Sequence, residues 1–239
     1  MVDEHRLTDV DVSAPPWPLL IEVAEATPPR SWVLMGGMMT HLHALRGRVA
    51  SVRPTTDVDV LLNLEAIAAD VGAVAGPLQR LGMRPVEPRG PFHRFARGED
   101  IVDVMVTNLA GPARWMSRPI MRAPGATLAL QDPDIYIVET DGHDVQIAVP
   151  RTPAALVLKA AAFKNDQRDR GRHLEDLLVL LASDTNDPLN YSSIPTTQRR
   201  HLRPAVNHLT DLGHPAWLVL DEYDRELARR AFESLVQQT

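Results

Sequence analysis

The chain has no cysteine among its 239 residues. That excludes a disulfide framework, a thiolate zinc site and a thiol nucleophile. It also lacks any apolar run near the roughly 20 residues a membrane-spanning helix needs. The opening "MVDEHRLTDVDV" leads into no hydrophobic leader core. No membrane partner is expected, and the expected location is the cytoplasm. An excess of positive charge is missing too. The formal net charge is -6, which argues against nonspecific binding along a nucleic-acid backbone and leaves only local basic patches. No internal repeat or low-complexity segment is present. What remains is an ordinary globular composition, 44% hydrophobic and 23% charged, with length for one large domain or two small ones.

The order of patterns predicts an α+β chain. A short helix is expected over 19–26, then a buried strand "WVLM" stopped by Gly36 and Gly37, then a helix closed by Gly47. A basic loop leads to a strand over 57–62. A helix is expected over "LEAIAADVGAVAGPLQRLGM", broken near Gly76-Pro77. "HRFARGEDIVDVMVTN" reads as two strands around a glycine turn, and the Pro- and Arg-rich stretch after it as a loop or irregular helix. "DIYIVETDGHDVQIAV" reads as a hairpin about Asp141-Gly142. Beyond "PRTP" the pattern turns helical, over 152–166, 171–183, 196–212 and 216–237. The expected domains are 1–150, α+β, and 151–239, all helical.

Chemistry enters at "RPTTDVDVLLN", residues 53–63. Side chains alternate along a strand, so Asp57 and Asp59 share one face while Val58 and Val60 share the other. Their backbones sit roughly 6.6 Å apart, from about 3.3 Å per residue. Two half-buried carboxylates this close repel unless a cation lies between them. A third acid, Asp103, sits in the apolar run "DIVDVMV". Such a trio can hold two divalent ions that activate an attacking oxygen and stabilise leaving phosphates. Upstream, a strand ending in Gly36-Gly37 and opening a helix offers backbone N–H groups to a phosphate.

These motifs, "LMGGMMTHLHALRG", "RPTTDVDVLLN" and "IVDVMV", resemble the polymerase-β-like nucleotidyltransferases. Within that superfamily they are most similar to the AbiEii-type branch, which includes mycobacterial nucleotidyltransferase toxins. Arg53, Thr55, Thr56, Asp57 and Asp59 match its approach and acid pair. "ALVLKAAAFKNDQRDRGRHLEDLLVLL" is similar to its later helices, with Lys159 and Asp176 in matching places. His173 stands where the branch has the first acid of an Asp-x-x-Asp, and the loop 47–56 is longer than in the branch.

The resemblance implies a mixed catalytic sheet flanked by helices and followed by a helical half. It also implies transfer of a nucleoside monophosphate from an NTP to an acceptor hydroxyl. Two magnesium ions, with manganese as an alternative, would be held by Asp57, Asp59 and Asp103. Gly36, Gly37, Arg53, Thr56 and Lys159 would meet the nucleotide, and Lys159 and Asp176 would join the catalytic set. A tRNA acceptor and a cognate antitoxin are the implied partners. Two alternatives stay open: adenylylation of a small molecule such as an antibiotic, and a non-catalytic nucleotide- or partner-binding module.

Outside the motifs, Lys159 shares a helix face with Leu156 and Phe163, where a lysine can snorkel or reach phosphate. His41 and His43 tempt a zinc or general-base reading, but at i and i+2 on a helix they do not face each other and read as ordinary surface or packing histidines. The arginines at 168, 170, 172, 199, 200 and 203 read as solvated faces, with RNA contact the sharper reading. Trp115 reads as a packing anchor.

Overall fold

Apolar runs too short for helices pair into sheets around the Asp-bearing strand. The computed structural model describes residues 3–8, 10–50, 53–64, 71–86, 90–108, 113–140, 142–166, 169–184 and 191–238. Arg168, Asp141 and residues 65–70 of the helix expected there lie outside these. The chain folds as two compact units. One is Met1–Met38 with Thr55–Val149, and the other is Met39–Pro54 with Pro150–Thr239.

The first unit holds the strands. They are β1 (Glu4–Leu7), β2 (Trp32–Met35), β3 (Asp57–Leu62), β4 (Arg84–Pro85), β5 (Arg94–Arg97) and β6 (Asp100–Thr107). β7 (Arg114–Trp115), β8 (Arg118–Pro119), β9 (Arg122–Ala123), β10 (Asp134–Glu139) and β11 (Asp144–Val149) follow. The main sheet runs β2-β3-β6-β5-β4, with β9 paired along β6. β2 is antiparallel to β3, β3 parallel to β6, and β6 antiparallel to β5, so the sheet is mixed. Val58, Val60, Val102 and Val104 are buried on the face opposite the acids. Helices α1 (Trp17–Ala26) and α3 (Gly72–Arg80) add Leu20, Val23, Val74 and Leu78 to the core.

Three local expectations change in the first unit. The helix expected to break at Gly76-Pro77 runs through both residues. Burial of Val74, Ala75 and Leu78 outweighs the one backbone bond that the proline removes. The Pro- and Arg-rich stretch contains strands, because Met116 and Ser117 both take positive φ (47° and 66°) and close a two-residue hairpin between β7 and β8. The polar N-terminal stretch supplies a strand, β1, parallel to β10. Its hydrogen bonds come from the partner strand, so its own residues carry little hydrophobic signal.

The second unit is helical. α2 (Gly36–Gly47) begins in the first unit and enters the second at Met39. α4 (Thr152–Asn165), α5 (Arg170–Ser183), α6 (Thr196–Leu209) and α7 (Glu222–Gln237) complete it. The helix expected over 216–237 is divided into a 3-10 turn (Pro215–Val219) and α7, because Asp221 caps α7 by accepting from the Asp224 N–H at 2.8 Å. His43 is fully buried, its Nε2 2.9 Å from the Pro150 carbonyl oxygen, in keeping with a packing role. No helix among the described residues is long and apolar enough to cross a membrane.

Candidate active site

Strand register assembles the acids. Asp59 lies directly beside Asp103 in the parallel β3–β6 pair, and Asp57 lies two residues back on the same face. One carboxylate oxygen from each of Asp57, Asp59 and Asp103 falls within 4.8 Å of the others. Oxygens opposite one another on a single magnesium ion are about 4.2 Å apart, and paired catalytic ions sit about 3.5–4 Å apart. Three hard carboxylate donors at this spacing fit divalent cations of the magnesium or manganese kind. Asp103 is the most buried of the three, at 9% exposure.

A cation already stands at the trio. Arg94 Nε donates to Asp103 Oδ1 and Nη2 to Asp103 Oδ2, both at 2.7 Å. The hydrogen bonds to Asp103 raise the guanidinium pKa above its ordinary value; burial opposes this, and the charges of Asp103, Asp57 and Asp59 reinforce it. The motif reading does not contain Arg94. A signal for it was present in the sequence all the same. The two-residue turn Gly98-Glu99 pairs Arg97 with Asp100, and counting back along the hairpin places Arg94 opposite Asp103.

The double glycine serves the acids as well. Gly36 has φ +64°, and a Cβ there would lie 1.7 Å from Asp59 Oδ2. A Cβ on Gly37 would lie 2.5 Å from Thr55 Oγ1, and that hydroxyl donates to Asp57 Oδ1 at 3.1 Å. The bare backbone at the start of α2 therefore makes room for Asp59 and Thr55, where the positive end of the helix favours a carboxylate. Thr56, named from the motif, is exposed; the threonine touching the trio is Thr55.

Gly36→Ala is expected to lose about 1–3 kcal/mol, from a left-handed alanine plus a displaced Asp59, and to weaken manganese binding. Gly76→Ala, whose added carbon meets nothing closer than 3.6 Å, should be neutral or stabilising. Thermal melts and a manganese titration of the two variants check this. A Gly36→Ala protein that melts and binds like the parent would contradict the packing argument.

Lys159, Asp176 and Arg53 come together in the second unit. Lys159 Nζ donates to Asp176 Oδ2 at 2.6 Å, with side-chain exposures of 5% and 4%. Arg53 Nη2 lies 3.9 Å from the same oxygen, and its Nη1 donates to the Pro54 carbonyl at 2.9 Å. A snorkelling lysine keeps its ammonium in water, and this one does not. His173 neighbours the cluster. Its pKa is lowered by burial first, then by the charges of Lys159 and Arg172. Its Nε2 lies 3.4 Å from Asp166 Oδ2.

Several of the arginines read as solvated faces make contacts within the chain. Arg199 donates to the Ile194, Gln238 and Ser192 carbonyls. Arg170 stacks 4.4 Å over the Phe163 ring and donates to its carbonyl, and Arg172 pairs with Asp166 at 2.7 Å. Trp115 packs near Phe95, with ring centroids 6.4 Å apart.

No family model and no curated protein matches the sequence. Among solved structures, the chain is similar to an antigenic nucleotidyltransferase-like protein from Paracoccidioides brasiliensis. The TM-score is 0.51 at 15% identity, over 90% of this chain and 91% of that one. ANT(2")-Ia, solved with adenylyl-2"-tobramycin, matches at a TM-score of 0.38 and 18% identity over 91% and 96%, too loose a fit to bear on activity. The chain therefore has the fold of a nucleotidyltransferase-like protein, with an aspartate trio on its central strands.

Proposed function

We propose that the chain is a divalent-metal-dependent nucleotidyltransferase that moves an NMP from an NTP to an acceptor hydroxyl. The observation that carries this reading is the convergence of Asp57, Asp59 and Asp103 within 4.8 Å on a nucleotidyltransferase-like sheet. Bound by these acids, divalent cations would activate the attacking oxygen and offset charge on the leaving phosphates. The chain's own residues divide the remaining work. Asp57 and Asp59 would hold the cations beside the triphosphate. Asp103 is assigned to take the acceptor's proton. Gly36 and Gly37 stand at the start of α2, where the positive end of the helix favours phosphate oxygens. Lys159 and Asp176 form a buried pair of their own in the second unit, and the reading does not depend on them.

The AbiEii-like motifs make tRNA the first acceptor to try, with an antitoxin as the matching protein partner. The test is incubation with each α-labelled NTP, magnesium and either total RNA or an aminoglycoside panel. Label in RNA that chelator abolishes supports the toxin-like acceptor. Label on an aminoglycoside supports the small-molecule acceptor instead. NTP binding with no transfer to any acceptor would mark a binding module and overturn the enzyme reading.

A further inference from the structure

We propose that Arg94 is a positioning residue for Asp103, a built-in cation that holds this acid until a divalent ion displaces it. The proposal rests on the metal-binding reading of the trio. Both Asp103 oxygens are engaged by the guanidinium fork, each at 2.7 Å. A bidentate fork fixes the plane of the carboxylate as well as its charge. Asp57 accepts the Thr55 hydroxyl at 3.1 Å, and Asp59 lies against Gly36.

The two partners differ in freedom. The Asp103 side chain is 12% exposed and sits in the middle of the sheet, whereas the Arg94 side chain is 35% exposed on β5. Asp103 has nowhere to move, and the arginine can swing its head into water. Exchange of the internal cation for a metal ion therefore moves Arg94 and leaves the acid in register.

The exchange has a chemical consequence. The fork takes one lone pair on each Asp103 oxygen, positions that a divalent ion or an acceptor's proton would otherwise use. Displacement of the arginine frees those positions. A guanidinium beside a divalent ion is also repelled by it, so Arg94 lowers the metal affinity of the resting site. Arg94 thus competes with the ion for the Asp103 oxygens.

Titration of manganese by electron paramagnetic resonance, beside melts with chelator or manganese, tests this on the parent, Arg94→Gln and Arg94→Lys. Arg94→Gln should bind manganese on the order of tenfold tighter, because the repelling charge is gone. It should melt lower than the parent in chelator and gain more on adding the ion. Arg94→Lys keeps the charge without the fork, so its affinity should fall between the two. If Arg94→Gln is too unstable to titrate, the shift in Arg94→Lys carries the test. Equal affinity in all folded proteins, with the parent binding manganese, overturns the role of Arg94 and leaves the metal site standing. No binding by the parent or by either variant overturns both.

Discussion

Asp59→Asn should reduce nucleotide transfer by at least about three orders of magnitude while the protein stays folded. The carboxylate sits beside Asp103 across the β3–β6 pair and beside Asp57 along its own strand. It is the corner shared by both distances, so losing its charge removes a ligand from any ion the trio holds. Losing one preorganised electrostatic group typically costs two to three orders of magnitude, and losing a shared ligand should cost more. Asparagine keeps the shape that lies against Gly36, so the start of α2 need not move. Stability in chelator should hold or rise slightly, because the three acids repel one another and removing one charge relieves that repulsion. Asp57→Asn should behave alike, with the Thr55 hydroxyl able to keep its contact to the amide oxygen. Single-turnover label transfer and parallel melts decide the matter. Near-parental transfer by either variant would sink the metal assignment, and a large loss of melting temperature in chelator would make the acids structural.

The trio could be read from the sequence because strand periodicity is local. Alternation alone puts Asp57 and Asp59 on one face, and an acid inside "DIVDVMV" has little structural reason to be there. The geometry of Gly36 and Gly37 was less legible. A glycine pair after a strand suggests a phosphate turn, but its close approach to Asp59 and Thr55 depends on β2 lying antiparallel against β3. That pairing is a tertiary fact. Arg94 was missed because a motif reading follows one strand at a time, and this contact crosses between two. β1 was missed for a related reason. It carries no apolar alternation, and its pairing with β10 joins residues more than 125 positions apart.

Lys159 is where periodicity left most open, and it yields the second large expected effect. On its helix face it stands with Leu156 and Phe163, where a lysine can snorkel or reach phosphate. In the fold both partners of the Lys159–Asp176 pair are nearly sealed from solvent, at 5% and 4% exposure, and the bond is 2.6 Å long. Asp176 is on α5, and no pattern within α4 could reveal it. Removing one partner of a buried pair leaves the other charged and poorly solvated, typically at about 3–5 kcal/mol. Arg53, 3.9 Å from the same Asp176 oxygen, offsets part of that loss, which places Lys159→Met near the lower end. A cost of about 3 kcal/mol corresponds to a fall of roughly 6–12 °C in melting temperature for a chain of this size. Methionine packs well beside Leu156 and Phe163, so packing is not the cause of the loss. The double variant Lys159→Met with Asp176→Leu removes both charges together and should recover most of the stability. Melts of the parent, both single variants and the double variant form the required cycle. If Lys159→Met melts within a degree or two of the parent, the pair contributes nothing to the fold. If the double variant is as unstable as the single ones, the cost lies in altered packing and the charge argument fails.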